Sequence, residues 1–209
     1  MLKQILTFSM AFLLAACSVH SMKQIPPQVR DYKKVNFFTA GHKQVAFKAV
    51  GSMNGNDLEG VLQIKKIGEE DFEVLLMTGG AYRVMQAIVT PEGIAFSYLF
   101  KEVDNVLVRA RIAQFLNLLL LDIGTYEHTN VAKTQTTVTY KNQSAKTKLY
   151  YQTGAVYPYK AQSSVTFNMA DLDYDQYAPA SADPDVQLPH LLVYRDGRVT
   201  LELTLISLR

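Results

Sequence analysis

Residues 72–100 read FEVLLMTGGAYRVMQAIVTPEGIAFSYLF, and this stretch decides the fold. Phe72 to Met77 is a nearly continuous apolar run, too short for a typical helix and bounded by Thr78-Gly79-Gly80. Tyr82, Val84 and Ile88 continue on a second run, which stops at Thr90-Pro91-Glu92-Gly93. Ile94, Phe96, Tyr98 and Phe100 then alternate with Ala95, Ser97 and Leu99. Short runs of period two separated by glycine and proline turns are the pattern of an antiparallel meander.

The same pattern extends toward the N-terminus. Val45, Phe47 and Ala49 alternate with polar neighbours, Asn54-Gly55-Asn56-Asp57 is a turn, and Leu58, Leu62 and Ile64 share one face opposite Glu59, Gln63 and Lys65. Toward the C-terminus the period changes near Asp104. Val108, Ile112, Phe115 and Leu119 recur at helical spacing, with Asp104 read as the N-cap and Gly124 as the stop. Leu118 to Leu121 is apolar on every side, so this end of the helix is expected to be covered on more than one face.

Strands resume after Ala132, through Thr134–Tyr140, Lys146–Gln152 and the alternation Val165, Phe167, Met169. Asp171 to Pro189 reads as an acidic, proline-containing loop. A last hairpin turns at Asp196-Gly197, between Leu191–Tyr194 and the one-sided run Val199, Leu201, Leu203, Leu205. The expected fold class is mainly β (α+β). A curved antiparallel sheet forms an incomplete barrel, and one helix serves as its lid or plug, because a one-sided sheet curls to cover its apolar face.

The N-terminus carries an address. Met1 to Gln4 is short and basic, Ile5 to Leu14 is apolar, and Leu14-Ala15-Ala16 leads into Cys17, the single cysteine. This is the order of a secretory signal. It resembles a bacterial lipoprotein signal with the lipobox Leu-Ala-Ala-Cys. That resemblance implies cleavage before Cys17 and attachment of acyl chains, palmitate among them, to Cys17. Two or more acyl chains hold a domain on a membrane durably. Ser18 follows the cysteine, which by resemblance implies sorting to the outer membrane, facing the periplasm. Residues 1–16 are then the signal, 17–36 the lipidated N-terminus and tether, and 37–209 one domain.

Composition narrows the function. Apolar residues make up 48% and charged residues 19%, the balance of a globular chain. A formal charge of +2 and the lack of a basic run interleaved with aromatics argue against nucleic acid as a partner. With Cys17 lipidated, no thiol remains for a disulfide or a thiolate metal site.

Catalytic signals are weak. His20, His42, His128 and His190 have no ligand spacing, and neither a nucleophile elbow nor a phosphate loop is present. Asp171, Asp173 and Asp175 begin like a calcium loop, but Gln176 stands where glycine is needed. The expectation is no enzyme, no metal and no cofactor beyond the lipid on Cys17. Tyr150, Tyr151, Tyr157 and Tyr159 read as cross-strand packing, with stacking on a sugar or ring as the other reading.

The order of elements resembles the LolA/LolB fold, and within it LolB-like outer-membrane lipoproteins, some of them encoded with aryl-polyene pigment synthesis. Phe72–Met77 with its loop, Tyr82 to Phe96 through Pro91-Glu92-Gly93, and Leu188-Pro189 followed by Leu191–Leu208 carry the resemblance. It implies binding of a lipid or lipoprotein acyl chain in a half-barrel, delivery to the outer membrane, and a periplasmic LolA-like carrier as partner. Two features depart from it. The loop Thr78-Gly79-Gly80-Ala81 lacks the protruding leucine of LolB, and the chain has no tryptophan. The expected ligand-binding residues are Phe96 and Tyr98 from the sheet and Val108, Ile112, Phe115 and Leu119 from the helix. A solid-cored interaction module, docking to an envelope assembly through Asp171–Asp185, is the alternative.

Overall fold

The computed structural model describes residues 32–38, 41–53, 55–79, 81–120, 125–141, 145–165, 168–180 and 183–209. The signal at 1–16, Cys17, the tether up to 31, and Gly80, Leu121, Gly124 and Phe167 lie outside the described residues. The chain begins with β1 (Gln44–Met53), β2 (Asn56–Lys66), β3 (Phe72–Thr78), β4 (Tyr82–Thr90) and β5 (Gly93–Leu99). Helix α1 (Val106–Leu120) follows. Seven strands complete it: β6 (Thr125–Val131), β7 (Gln135–Lys141), β8 (Ala145–Gln152), β9 (Lys160–Val165), β10 (Asn168–Ala180), β11 (Asp183–Arg195) and β12 (Val199–Leu208).

The twelve strands among the described residues form one antiparallel sheet in the order β5-β4-β3-β2-β1-β12-β11-β10-β9-β8-β7-β6. The first and last strands pair at its centre, so β5 and β6 are its two edges and do not pair with each other. The sheet is therefore an incomplete barrel. This order has a direct consequence for α1. The helix joins β5 to β6, so the chain must travel from one edge to the other, and it does so across the concave face.

Curvature has a local cause. Gly51 in β1 and Gly60 in β2 share the apolar face with Ala49 and Leu62. A Cβ at Gly51 would lie 2.1 Å from the Thr200 carbonyl oxygen, and one at Gly60 would lie 2.1 Å from that of Met77. Neighbouring backbones lean inward only because these two side chains are absent. The concave face is lined by Val45, Phe47, Leu62, Ile64, Val74, Leu149, Leu172, Leu192 and Leu203, all at most 2% exposed.

Three sequence expectations are corrected. The segment Asp171–Pro189 is not a loop; it is most of the β10–β11 pair. Its acidic residues alternate with buried Leu172 and Tyr174, which is the period of a strand with one wet face. Asp171 bonds the Lys160 ammonium at 2.7 Å and the Gln162 amide at 2.9 Å, and Asp173 pairs with Arg195. The docking loop assigned to the alternative reading is thus a paired sheet surface. Val165 and Met169 do not share a strand, because Val165 pairs with Asn168 across the β9–β10 turn. Finally, strands resume at Thr125 rather than after Ala132. β6 is an edge strand whose residues are exposed but for half-buried Thr129, so it carries no apolar alternation to read.

Residues 32–38, assigned mostly to the tether, pack as a strap across the far end of the concave face. Tyr32 stacks on Tyr151 at 4.8 Å, the Lys33 N–H donates to the Val156 carbonyl at 3.0 Å, and Phe37 meets Phe47 edge-on at 5.2 Å. Val35 and Phe37 are each 2% exposed. The strap thus links the β7–β8 half of the sheet to the β1–β3 half, as α1 does at the other end.

Burial of tyrosines gives a testable pH dependence. Tyr151, Tyr174 and Tyr194 are at most 5% exposed, and burial pushes all three phenols above the usual range. Above about pH 10 the unfolded chain releases these protons while the folded protein keeps them, so stability falls as pH rises. These three groups contribute up to about 4 kcal/mol per pH unit at about 1.4 each, and Tyr177, whose phenol burial also raises, adds a fourth share. Urea midpoints measured across this range should fall steeply, and Tyr174→Phe should remove about a quarter of the slope. A flat profile would contradict this account of the phenols.

Candidate functional site

α1 is capped by Asn105, whose Oδ1 accepts the Val108 N–H at 3.0 Å. Asp104, the residue expected to cap, instead makes a two-point pair with Arg109 at 2.6 and 2.9 Å. That hydrogen bond holds the Asp104 carboxyl below the usual carboxylate range. The two ends of the helix differ in how they are held. Leu116, Leu118 and Leu119 are at most 1% exposed and pin the C-terminal half into the core. Beside them Gln114 is buried, its Nε2 donating to the Ser163 carbonyl at 3.2 Å and its Oε1 accepting from Asn168 at 2.7 Å.

α1 as far as Phe115 covers a cavity. Val108, Ile112 and Phe115 form its roof, and Leu58, Leu62, Leu76, Met85 and Leu99 its floor. Its volume is about 100 Å³, and it is partly open to solvent. That is below the roughly 300–1,000 Å³ of a typical ligand pocket. A cavity of about 150 Å³ holds one benzene, so this one seats only the tip of an acyl chain while α1 lies in place.

One ion pair holds the helix at the cavity margin. Arg111 Nη1 lies 3.2 Å from Asp196 Oδ1, and the Asp196 side chain is fully buried. The same carboxylate accepts the backbone N–H groups of Arg198 and Val199 at 3.2 and 3.0 Å and the Tyr194 hydroxyl at 3.4 Å. Phe115 rests against Tyr194, ring centroids 5.0 Å apart. A buried carboxylate with one cationic partner is costly to strip, so the pair works as a latch.

Of the six residues expected to bind ligand, Val108, Ile112 and Phe115 come together in the cavity. Leu119 lies deeper, 1% exposed among the core leucines. Phe96 packs beneath the Arg109 guanidinium, 5.3 Å from its ring centre. Tyr98 faces away. The β4–β5 register pairs Ala87 with Phe96 but Gln86 with Tyr98, so one residue, Ser97, is bulged. A bulge reverses the inward parity, which turns Tyr98 out under Arg83 and turns Leu99 into the cavity. Strict alternation read from sequence assigns these two positions the wrong way round. Asp196 was legible only as a turn residue, because its helix partner lies 85 positions away.

Apolar side chains next in sequence to lining residues Leu99 and Val108 are exposed. Val106 and Leu107, the first residues of α1, are 81% and 72% exposed, and Phe100 is 43% exposed. At the same end of the sheet Thr78 of β3 pairs with Tyr82 of β4.

No protein-family model matches the sequence, and no curated protein matches it. Solved structures do match. A LolA superfamily protein from Nitrosomonas europaea superposes with a TM-score of 0.55 at 12% identity, over 82% of this chain and 87% of that one. A putative outer membrane lipoprotein-sorting protein domain from Vibrio parahaemolyticus gives 0.47 at 9% identity, over 80% and 85% of the two chains. A DUF1329 family protein from Desulfovibrio piger gives 0.47 at 9%, over 81% and 86%. At such identities a likeness concerns the fold, and the first superposition agrees with the open sheet and the helix laid across it: this chain has a LolA/LolB-like fold.

Proposed function

We propose that this protein is a non-enzymatic lipoprotein that binds a lipid or a lipoprotein acyl chain under α1 and aids its transfer at the outer membrane. Acyl chains on Cys17 anchor it, facing the periplasm, and a LolA-like carrier supplies its cargo. The observation that carries this reading is the apolar cavity beneath a helix that bridges two unpaired sheet edges. Its lining offers methylene groups a dry surface, worth about 0.8 kcal/mol for each one buried. The N-terminal half of α1 rests on the latch and a few side chains, while the leucines pin the other half. Lifting the N-terminal half therefore enlarges the cavity without unfolding the helix. The lipobox supports the membrane location, and the fold supports the carrier role.

Val106 and Leu107 supply the apolar tip that the sequence Thr78-Gly79-Gly80-Ala81 lacks. They directly precede Val108 of the cavity roof and are exposed. A fluorescent fatty acid carried by the protein should pass to phospholipid vesicles. The Val106→Asp/Leu107→Asp variant should transfer it about tenfold more slowly, with binding unchanged. Equal transfer rates for the two proteins would count against this role for the helix tip.

A further inference from the structure

A second pocket lies at the end of the concave face opposite the cavity, beside the strap. Its volume is about 560 Å³. The strap contributes Lys33, the β8–β9 connection contributes Tyr157 and Tyr159, and the β10–β11 pair contributes Tyr174, Tyr177 and Asp185. Unlike the cavity under α1, it mixes aromatic faces with charged and amide side chains.

Three features mark it as built. Tyr174 is 5% exposed, and its hydroxyl has no hydrogen-bond partner. An orphaned buried hydroxyl costs about 1–3 kcal/mol and calls for an explanation. The other phenols nearby are used: Tyr177 donates to the Pro158 carbonyl at 2.6 Å, Tyr159 donates to Gln135 at 2.8 Å, and Tyr157 accepts the Gln187 N–H at 3.1 Å. These bonds fix the rings, with Tyr157 and Tyr177 tilted against each other at 5.6 Å. Finally, Gln176 has φ 53°, a left-handed conformation that a residue other than glycine rarely adopts. Tyr174 and Tyr177, three apart, would face opposite ways in a regular strand. With Gln176 between them in this conformation, both line the pocket. Backbone strain of this kind gathers at ligand sites.

We infer that this pocket binds a pyranose sugar. Tyrosine faces stack on the apolar C–H faces of a sugar ring. Hydroxyls both donate and accept, so they suit a lining that offers carboxylates (Asp175, Asp185), amides (Gln152, Gln187), an ammonium (Lys33) and the free phenol of Tyr174. An acyl chain would leave those groups unpaired. An organic cation is disfavoured because Lys33 Nζ already lies 5.8 Å from the centre of the Tyr157 ring.

The test is a calorimetric and saturation-transfer NMR titration of the full chain with glucose, N-acetylglucosamine, maltose and chitobiose, and with choline as the cationic control. At least one sugar should bind with a Kd below about 10 mM, the range of a small, mostly hydrogen-bonded ligand. Tyr174→Phe should weaken that binding about fivefold while leaving the protein as stable or more so, because the orphaned hydroxyl is gone. Asp185→Asn, at an exposed position, should also weaken it. The inference is overturned if no sugar binds up to that concentration, if choline binds in their place, or if sugar binding is indifferent to both substitutions. Fatty-acid uptake takes place at the other end of the sheet, so the two readings fail independently.

Discussion

Tying the N-terminal half of α1 to the β5 edge is expected to abolish fatty-acid uptake. Arg109 and Phe96 are already in contact, the guanidinium 5.3 Å from the ring centre, and neither lines the cavity. With Cys17, the single native cysteine, replaced by serine, the Arg109→Cys/Phe96→Cys protein can be bridged by a short bis-maleimide. The bridged form keeps the cavity near its present volume of about 100 Å³, too small for an acyl chain. Its affinity for a fluorescent fatty acid should fall by tenfold or more, a difference of at least about 1.4 kcal/mol. The unbridged double variant should bind as before. Arg111→Ala is the opposite perturbation. It leaves Asp196 buried without its cation, and because that carboxylate keeps two backbone N–H donors and Arg111 is partly exposed, the expected loss of stability is about 2 kcal/mol. Uptake by this variant should be faster than by the native protein. Equal uptake by bridged and unbridged protein would show that α1 does not need to move.

Gly51→Ala is expected to destabilise the sheet strongly. Its Cβ would meet the Thr200 carbonyl oxygen at 2.1 Å and the Leu201 Cα at 2.9 Å, both backbone atoms that cannot turn aside. The substitution pushes β1 away from β12, the seam that joins the first strand to the last. Overpacking of this kind costs about 3 kcal/mol, which at this chain length lowers Tm by about 6–12 °C. Lys48→Ala on the same strand is the control. It removes only an exposed ion pair with Glu59 at 3.1 Å, worth at most about 1 kcal/mol. Thermal melts of the two variants should therefore separate clearly. If Gly51→Ala melts with the native protein, the close approach of the two strands is not what bends the sheet.

Where the sequence could be read, its local pattern and the tertiary environment agreed. The meander from β1 to β5 and the hairpin at Asp196-Gly197 carry apolar alternation with glycine or proline at the turns, and both lie where expected. The leucines at the end of α1 are apolar all round because the helix lies inside the curl. The misread segments are those where the local pattern has a second meaning. Asp-Leu-Asp-Tyr-Asp satisfies both a solvated turn and a strand with an acidic outer face, and only the partners Lys160 and Arg195 on adjacent strands decide between them. β6 is polar because an edge strand needs no buried face. A single bulge at Ser97 exchanged Tyr98 for Leu99 in the site, and strict alternation gives no sign of it. The strap was hidden for a different reason. Val35 and Phe37-Phe38 are a short apolar group after two lysines, too brief to show a period, and their burial depends on a sheet formed later in the chain.

Carriage of a lipid requires that α1 cover a space that an acyl chain can enter. Native mass spectrometry of the unlipidated full chain, before and after incubation with a fluorescent fatty acid, tests this most directly. One bound lipid per protein is predicted, either retained from the cell or taken up on incubation, and the Arg109–Phe96 bridge should exclude it. A protein that emerges free of lipid and takes up no fatty acid would contradict the central claim.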